Sequence, residues 1–141
     1  MKELENIVTE LAAPDLVVLE CSWNEISGRL VVIVDKPEGV SLEDTSQLAK
    51  RIMNDERIQS LASGGIRAEV SSPGIDYPLR LPFQFERNEG RRVRLKSETP
   101  EFSGEYVLEK YEQDRLIVSR QGKQFSVPLT DVNEVRAVVS F

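Results

Sequence analysis

The side chains with ligating or charge-bearing chemistry fall into two groups. Asp35, Glu38, Glu43 and Asp44 form the one compact acidic cluster. Oxygen ligands of this kind could hold a hard divalent ion. Carboxylates at the start of a helix are, however, already explained by the helix dipole and need no metal, so no metal site is assigned. The second group is Arg91, Arg92, Arg94 and Lys96, where Val93 and Leu95 alternate with three of the cations. That period of two puts Arg92, Arg94 and Lys96 on the outward face of one strand. Such a strip could contact phosphates, which supply affinity without reading sequence. The competing reading is a solvated strand face neutralised across the sheet by Glu98, Glu101 or Glu105. No aromatic side chains are interleaved for base stacking, and Tyr106 and Tyr111 are assigned to core and rim.

Catalytic chemistry finds little to work with. The chain has no histidine, one cysteine, no nucleophile elbow and no phosphate-cradling glycine loop. It is therefore read as a non-enzyme without a cofactor. Cys21 lies in an apolar strand pattern and is read as a buried structural thiol, with no disulfide framework available.

The elements that position these groups follow from periodicity. Leu4, Ile7, Val8 and Leu11 mark one face of a helix that Pro14 stops. Val17, Leu19, Cys21 and Trp23 are read as one face of a strand, which turns at Gly28 into a second strand carrying Leu30, Val32 and Val34. Ser41 with Asp44 resembles a capping box and opens a second helix through Leu42, Thr45, Leu48, Ala49, Ile52 and Met53. Gly64-Gly65 breaks the chain before a strand with Ile66, Ala68 and Val70. The order helix, strand, strand, helix, strand gives a three-stranded sheet with two helices on one face, leaving Val31 and Ile33 on the other. Pro73, Gly74, Asp76 and Pro78 then form a stiff hinge within a proline-rich connector. Beyond it the pattern becomes purely two-fold, with strands at Val93/Leu95, Tyr106/Leu108, Leu116/Val118, Phe125/Val127 and Val135/Ala137. Short strands with tight turns argue for a small closed barrel, and Pro128-Leu129-Thr130-Asp131 suits a single helical turn before the last strand.

Charge divides at the hinge. Residues 1–72 hold 7 Lys/Arg and 13 Asp/Glu, whereas residues 83–141 hold 10 of each, so the first part carries the whole net charge of −6. An acidic domain attracts basic partners, while a neutral domain with sorted charges can still meet RNA. No long apolar run, leader or lipidation signature is present, and the chain is read as soluble, cytoplasmic and away from membranes.

Ser71-Ser72-Pro73-Gly74-Ile75-Asp76, one further residue and Pro78-Leu79 resemble the signature of the bacterial ribosome maturation factor RimP family. Asp35-Lys36-Pro37-Glu38-Gly39-Val40-Ser41-Leu42 resembles that family's strand-to-helix turn. Phe85, Gly90, Val93 and Leu95 resemble the start of its second domain, and Phe102-Ser103-Gly104 and Val127-Pro128-Leu129 extend the likeness. Tyr77 stands where the family usually has arginine. The resemblance implies an α+β chain: an N-terminal αββαβ domain (1–72), the connector (73–82) and a C-terminal SH3-like, Sm-like β-barrel (83–141). It further implies a non-catalytic factor that binds the immature small (30S) ribosomal subunit near its central pseudoknot. The implied partner is a basic small-subunit ribosomal protein at the decoding centre, with small-subunit rRNA open as a further contact. Glu43 and Asp44 are then candidates for the basic partner, and Arg91, Arg92, Arg94 and Lys96 for the particle. The alternative is a freestanding Sm-like RNA-binding module.

Overall fold

The structure, a computed structural model, describes residues 2–75 and 77–138. Its elements are α1 (Lys2–Ala12), β1 (Val17–Asn24), β2 (Arg29–Asp35), α2 (Leu42–Asn54), α3 (Glu56–Leu61) and β3 (Arg67–Ser71), followed by α4 (Pro82–Arg87), β4 (Arg92–Ser97), β5 (Gly104–Glu112), β6 (Arg115–Arg120), β7 (Lys123–Pro128) and β8 (Val132–Ala137). They fall into two compact units, residues 1–73 and 74–141, each with a buried core of its own.

In the first unit β2 is the central strand, antiparallel to β1 and parallel to β3. Leu30, Val32 and Val34 are wholly buried against Leu4, Val8 and Ala12 of α1, Leu48 and Ile52 of α2, and Ile58 of α3. The parallel β2–β3 pair needs a crossover, which α2 and α3 supply. The expected single second helix is in fact two. Asp55 ends α2 and caps α3, its side chain accepting from the N–H groups of Arg57 and Ile58. Leu42 and Met53, expected on the buried face, are 83% and 39% exposed. Leu42 is the first residue of α2, and Met53 follows buried Ile52 next to the end of the helix, turned partly away from the core.

β1 departs from the simple alternation. Val18 pairs with Val34 and Glu20 with Ile33, leaving Leu19 as an extra residue in a bulge. The bulge shifts the alternation by one, so that Val18, with Cys21 and Trp23, packs on the core while Val17 is exposed. Val17 and Leu19 therefore do not share a face with Cys21. The opposite sheet face carries half-buried Val31 and Ile33, but Arg29 and Glu69 form an ion pair of 2.7 Å beside them, making that surface mixed in character.

In the second unit all five expected strands form one antiparallel sheet in the order β7-β6-β5-β4-β8. Val93, Leu95, Leu108, Leu116, Val118 and Val135 are buried along one side of it. Gln113 and Asp114 between β5 and β6, and Gln121 and Gly122 between β6 and β7, all have positive φ, as two-residue hairpin turns with the right twist require. Leu129–Asp131 is the expected helical turn. β7 and β8 are the two edges of this sheet, and among the described residues no ladder joins them into a closed barrel.

Nothing in the residue pattern announces α4. Pro82 occupies its first turn, and the Gln84 Oε1 accepts from the N–H groups of Arg80 and Leu81 at 2.8 and 3.0 Å. Phe85 is buried and its ring stacks on Tyr111 at 5.3 Å. Leu79 packs on the same core, and its N–H donates to the Val135 carbonyl. Residues counted in the connector thus take part in the second unit.

Candidate functional site

The cationic strip is present on β4. Arg92, Arg94 and Lys96 are exposed while Val93 and Leu95 are buried, which is the alternation the sequence implied. Arg91 stands just before the strand, outside that alternation, and is also exposed. β8 lies alongside with Arg136 opposite Arg94, adding a cation that only the strand order reveals. Two carboxylates answer these charges. Glu105 on β5 takes Arg94 at 2.7 Å and Arg92 at 3.5 Å, and Glu134 on β8 takes Arg136 at 2.7 Å and Lys96 at 3.5 Å.

Glu105 is one of the three neutralising residues considered from sequence. Glu98 and Glu101 form no ion pair with the strip among the described residues. Glu134 was not foreseen, because its approach depends on β8 pairing with β4 across nearly forty residues of chain. The Arg94 guanidinium, with Arg92 behind it, holds the Glu105 carboxyl below the usual range; Arg136 and then Lys96 do the same for Glu134. Both carboxylates stay ionised, and the pairs that Arg92 and Arg94 make with Glu105 are exposed ones, which contribute little stability.

The acidic cluster divides among separate tasks. Asp35 is buried at the end of β2, and its side chain accepts from the Lys36 N–H at 2.9 Å. Asp44 completes a capping box at the start of α2: its N–H donates to the Ser41 hydroxyl at 3.1 Å, and its carboxylate accepts from the Ser41 N–H at 2.9 Å. Lys36 also pairs with Asp44 at 2.9 Å. The Ser41 N–H and then Lys36 pull the Asp44 carboxyl down to about 2. Glu43 accepts from the Gln47 side chain one turn along, and Glu38 is exposed in the turn. These four do not converge on a common point, and no metal-ligating group of three carboxylate or thiol side chains occurs among the described residues. Of the two candidates for a basic partner, Glu43 points to solvent while Asp44 is engaged in holding the helix.

Cys21 is half-buried, and burial, reinforced by Glu5, raises its thiol above the ordinary value. Of the hinge residues, Pro73 and Pro78 are half-buried and Gly74 is exposed, its carbonyl accepting from the Tyr77 N–H at 2.9 Å. Asp76 lies outside the described residues.

One comparison bears on this arrangement. The family model of the RimP N-terminal domain matches residues 4–76, more than half of the chain. The matched stretch begins inside α1, holds every element from β1 to β3 and runs through the Ser-Ser-Pro-Gly segment. The chain belongs to the RimP family. The protein is thus a member of a family of ribosome maturation factors, and the α+β organisation, three-stranded sheet first and five-stranded antiparallel sheet second, is the RimP chain described here. Among its described residues no helix is long and apolar enough to cross a membrane.

Proposed function

We propose that this RimP-family chain is a non-catalytic assembly factor that binds the immature small (30S) ribosomal subunit in the cytoplasm and leaves once the particle has matured. The family match carries this reading. The charge division supports it: the first unit, with the whole of the acidic excess, suits a basic ribosomal protein of the decoding centre, and the strip on β4 suits rRNA phosphates. Arg91, Arg92, Arg94 and Lys96 are assigned to the particle and Glu43 to the basic protein, with Asp44 acting mainly through the fold of α2. The hinge, Pro73, Gly74, Asp76 and Pro78, is assigned the task of linking two domains, 1–72 and 83–141. The second of these is proposed to be SH3-like. The bulges in β8, at Asn133, and in β5, at Glu109, and the helical turn before β8 support that shape.

Sedimentation of cell lysate tests the function. The protein should migrate with small-subunit precursors and be missing from mature ribosomes. Equal binding to mature subunits, or no association with precursors, would overturn the reading. Tight binding to naked RNA without precursor association would favour the freestanding RNA-binding module instead.

A further inference from the structure

At one lip of the second sheet an arginine is held by a ring where a carboxylate would be the usual partner. The Arg120 guanidinium carbon lies 4.5 Å from the centroid of the Tyr106 ring. That ring is itself fixed: its hydroxyl donates to the Phe102 carbonyl at 2.7 Å, and its edge meets Phe125 at 6.2 Å and 81°. Gly104 lies on the other flank with φ +139°, and a Cβ there would come within 3.0 Å of Arg120 Nη1. The backbone conformation favours glycine there, and any side chain would oblige the end of Arg120 to shift. Arg120 forms no ion pair among the described residues.

Beside it is a groove of about 500 Å³, lined by Arg92, Glu105, Ser119, Arg120 and Gly122 among others. Glu105 is shared by Arg92 and Arg94. The Ser119 hydroxyl donates to Glu109 at 2.6 Å, and Lys123 stands opposite Arg120 on β7. Arg120, with Lys123 opposite it, lies on the Tyr106 side of the sheet, while Arg92 with its partner Glu105 lies on the other side; Arg92, Glu105 and Arg120 all line the groove at the lip.

We propose that this lip is a phosphate-binding subsite for single-stranded RNA, with Arg120 as its recognising group; for the class of ligand the proposal rests on the function given above. A planar guanidinium offers donors in a fixed fork that matches phosphate, and stacking on a ring orders that fork before the ligand arrives. Of the β4 strip only Arg92 also lines the groove, so a phosphate backbone seated at the lip would meet the pre-ordered Arg120 and then Arg92. The aromatic residue that lines the groove, Tyr106, has its ring engaged by Arg120 and Phe125, so the contact is to backbone and independent of sequence.

The test uses the full chain and fluorescence anisotropy with a short labelled oligouridylate across a salt series. R120Q should weaken binding roughly tenfold, as loss of a charged hydrogen bond does, and lower the log-log salt slope by about 0.7, the single-strand value for one phosphate contact. R120K should keep the slope but not the affinity, because it retains the charge and loses the stacked fork. R115Q removes the same charge at the far end of β6, where Arg115 is bonded to Ser126, and should change neither. Equal effects of R120Q and R115Q would overturn the proposal, as would an R120K variant with wild-type affinity. Failure of the wild-type protein to bind the oligonucleotide would overturn it too. Displacement by polyglutamate as readily as by unlabelled RNA would reassign the lip to an acidic peptide. None of these results disturbs the maturation-factor reading, which stands or falls on sedimentation with precursors.

Discussion

A carboxylate that accepts from a backbone N–H and from an ammonium group ionises more readily than a free one, and Asp44 does so at about 2 where 3.8 is ordinary. Its folded value lies below its unfolded one, so the stability it confers is present above 3.8 and is lost as pH falls toward about 2. D44N should therefore melt below the wild type at neutral pH, with the gap closing across that acid window; circular dichroism melts at several pH values measure it. S41A, which removes the other half of the box, should lower stability by about 1 kcal/mol at neutral pH. This pair was legible in the sequence because a capping box is local, three residues from end to end. Glu134 beside Lys96 was not legible, since nothing in the chain near either residue states which strands will be neighbours. Arg120 was missed for a related reason: its partner is the ring of Tyr106, on a strand joined to its own through a bulge.

At the scale of elements, α4 and the residues leading into it matter most. Leu79 packs on the second core and donates to Val135, and Gln84 satisfies the Arg80 and Leu81 N–H groups. A fragment beginning at residue 74 should fold cooperatively, whereas one beginning at 83 loses these contacts and should melt at lower temperature; calorimetry of the two decides. Equal melting temperatures would mean that the lead-in segment adds nothing to the unit. The five strands of the second unit were readable because apolar residues recur at every second position against polar ones. α4 was not, because six residues are too few for a helical period to show and its start is a proline that equally suits a connector. The break at Asp55 escaped notice for the same reason, since α3 is also only six residues long.

Over the whole molecule the charges separate into an acidic first part and a balanced second part. Reversing the exposed pair Glu38 and Glu43 to lysine should slow association with the basic ribosomal protein, most at low salt, by weakening long-range attraction. Reversing Arg92 and Arg94 to glutamate should weaken binding to precursor subunits and flatten its salt dependence, while leaving the isolated protein partner nearly untouched. Stopped-flow rates and filter binding separate the two. Should both double variants affect both partners alike, the division of labour between the units is wrong. The family was legible most specifically in the Ser-Ser-Pro-Gly stretch, but the balance of charge on the β4 face was not, because Glu134 and Arg136 come from β8.

The extra residue in β1 bears on what happens between copies. β1 is an edge strand of an acidic unit, and its start, Val17-Val18-Leu19, is apolar. A flat apolar edge invites another chain to add to the sheet, and a bulge interrupts that template. Deleting Leu19 would leave Val18 opposite Val34 and Glu20 opposite Ile33, keeping the pairs while straightening the edge. The deletion variant is expected to fold and then self-associate as concentration rises, detectable by light scattering, where the parent chain stays dispersed. An irregularity that looks like a defect in the ladder would then be what keeps a concentrated solution of this protein clear.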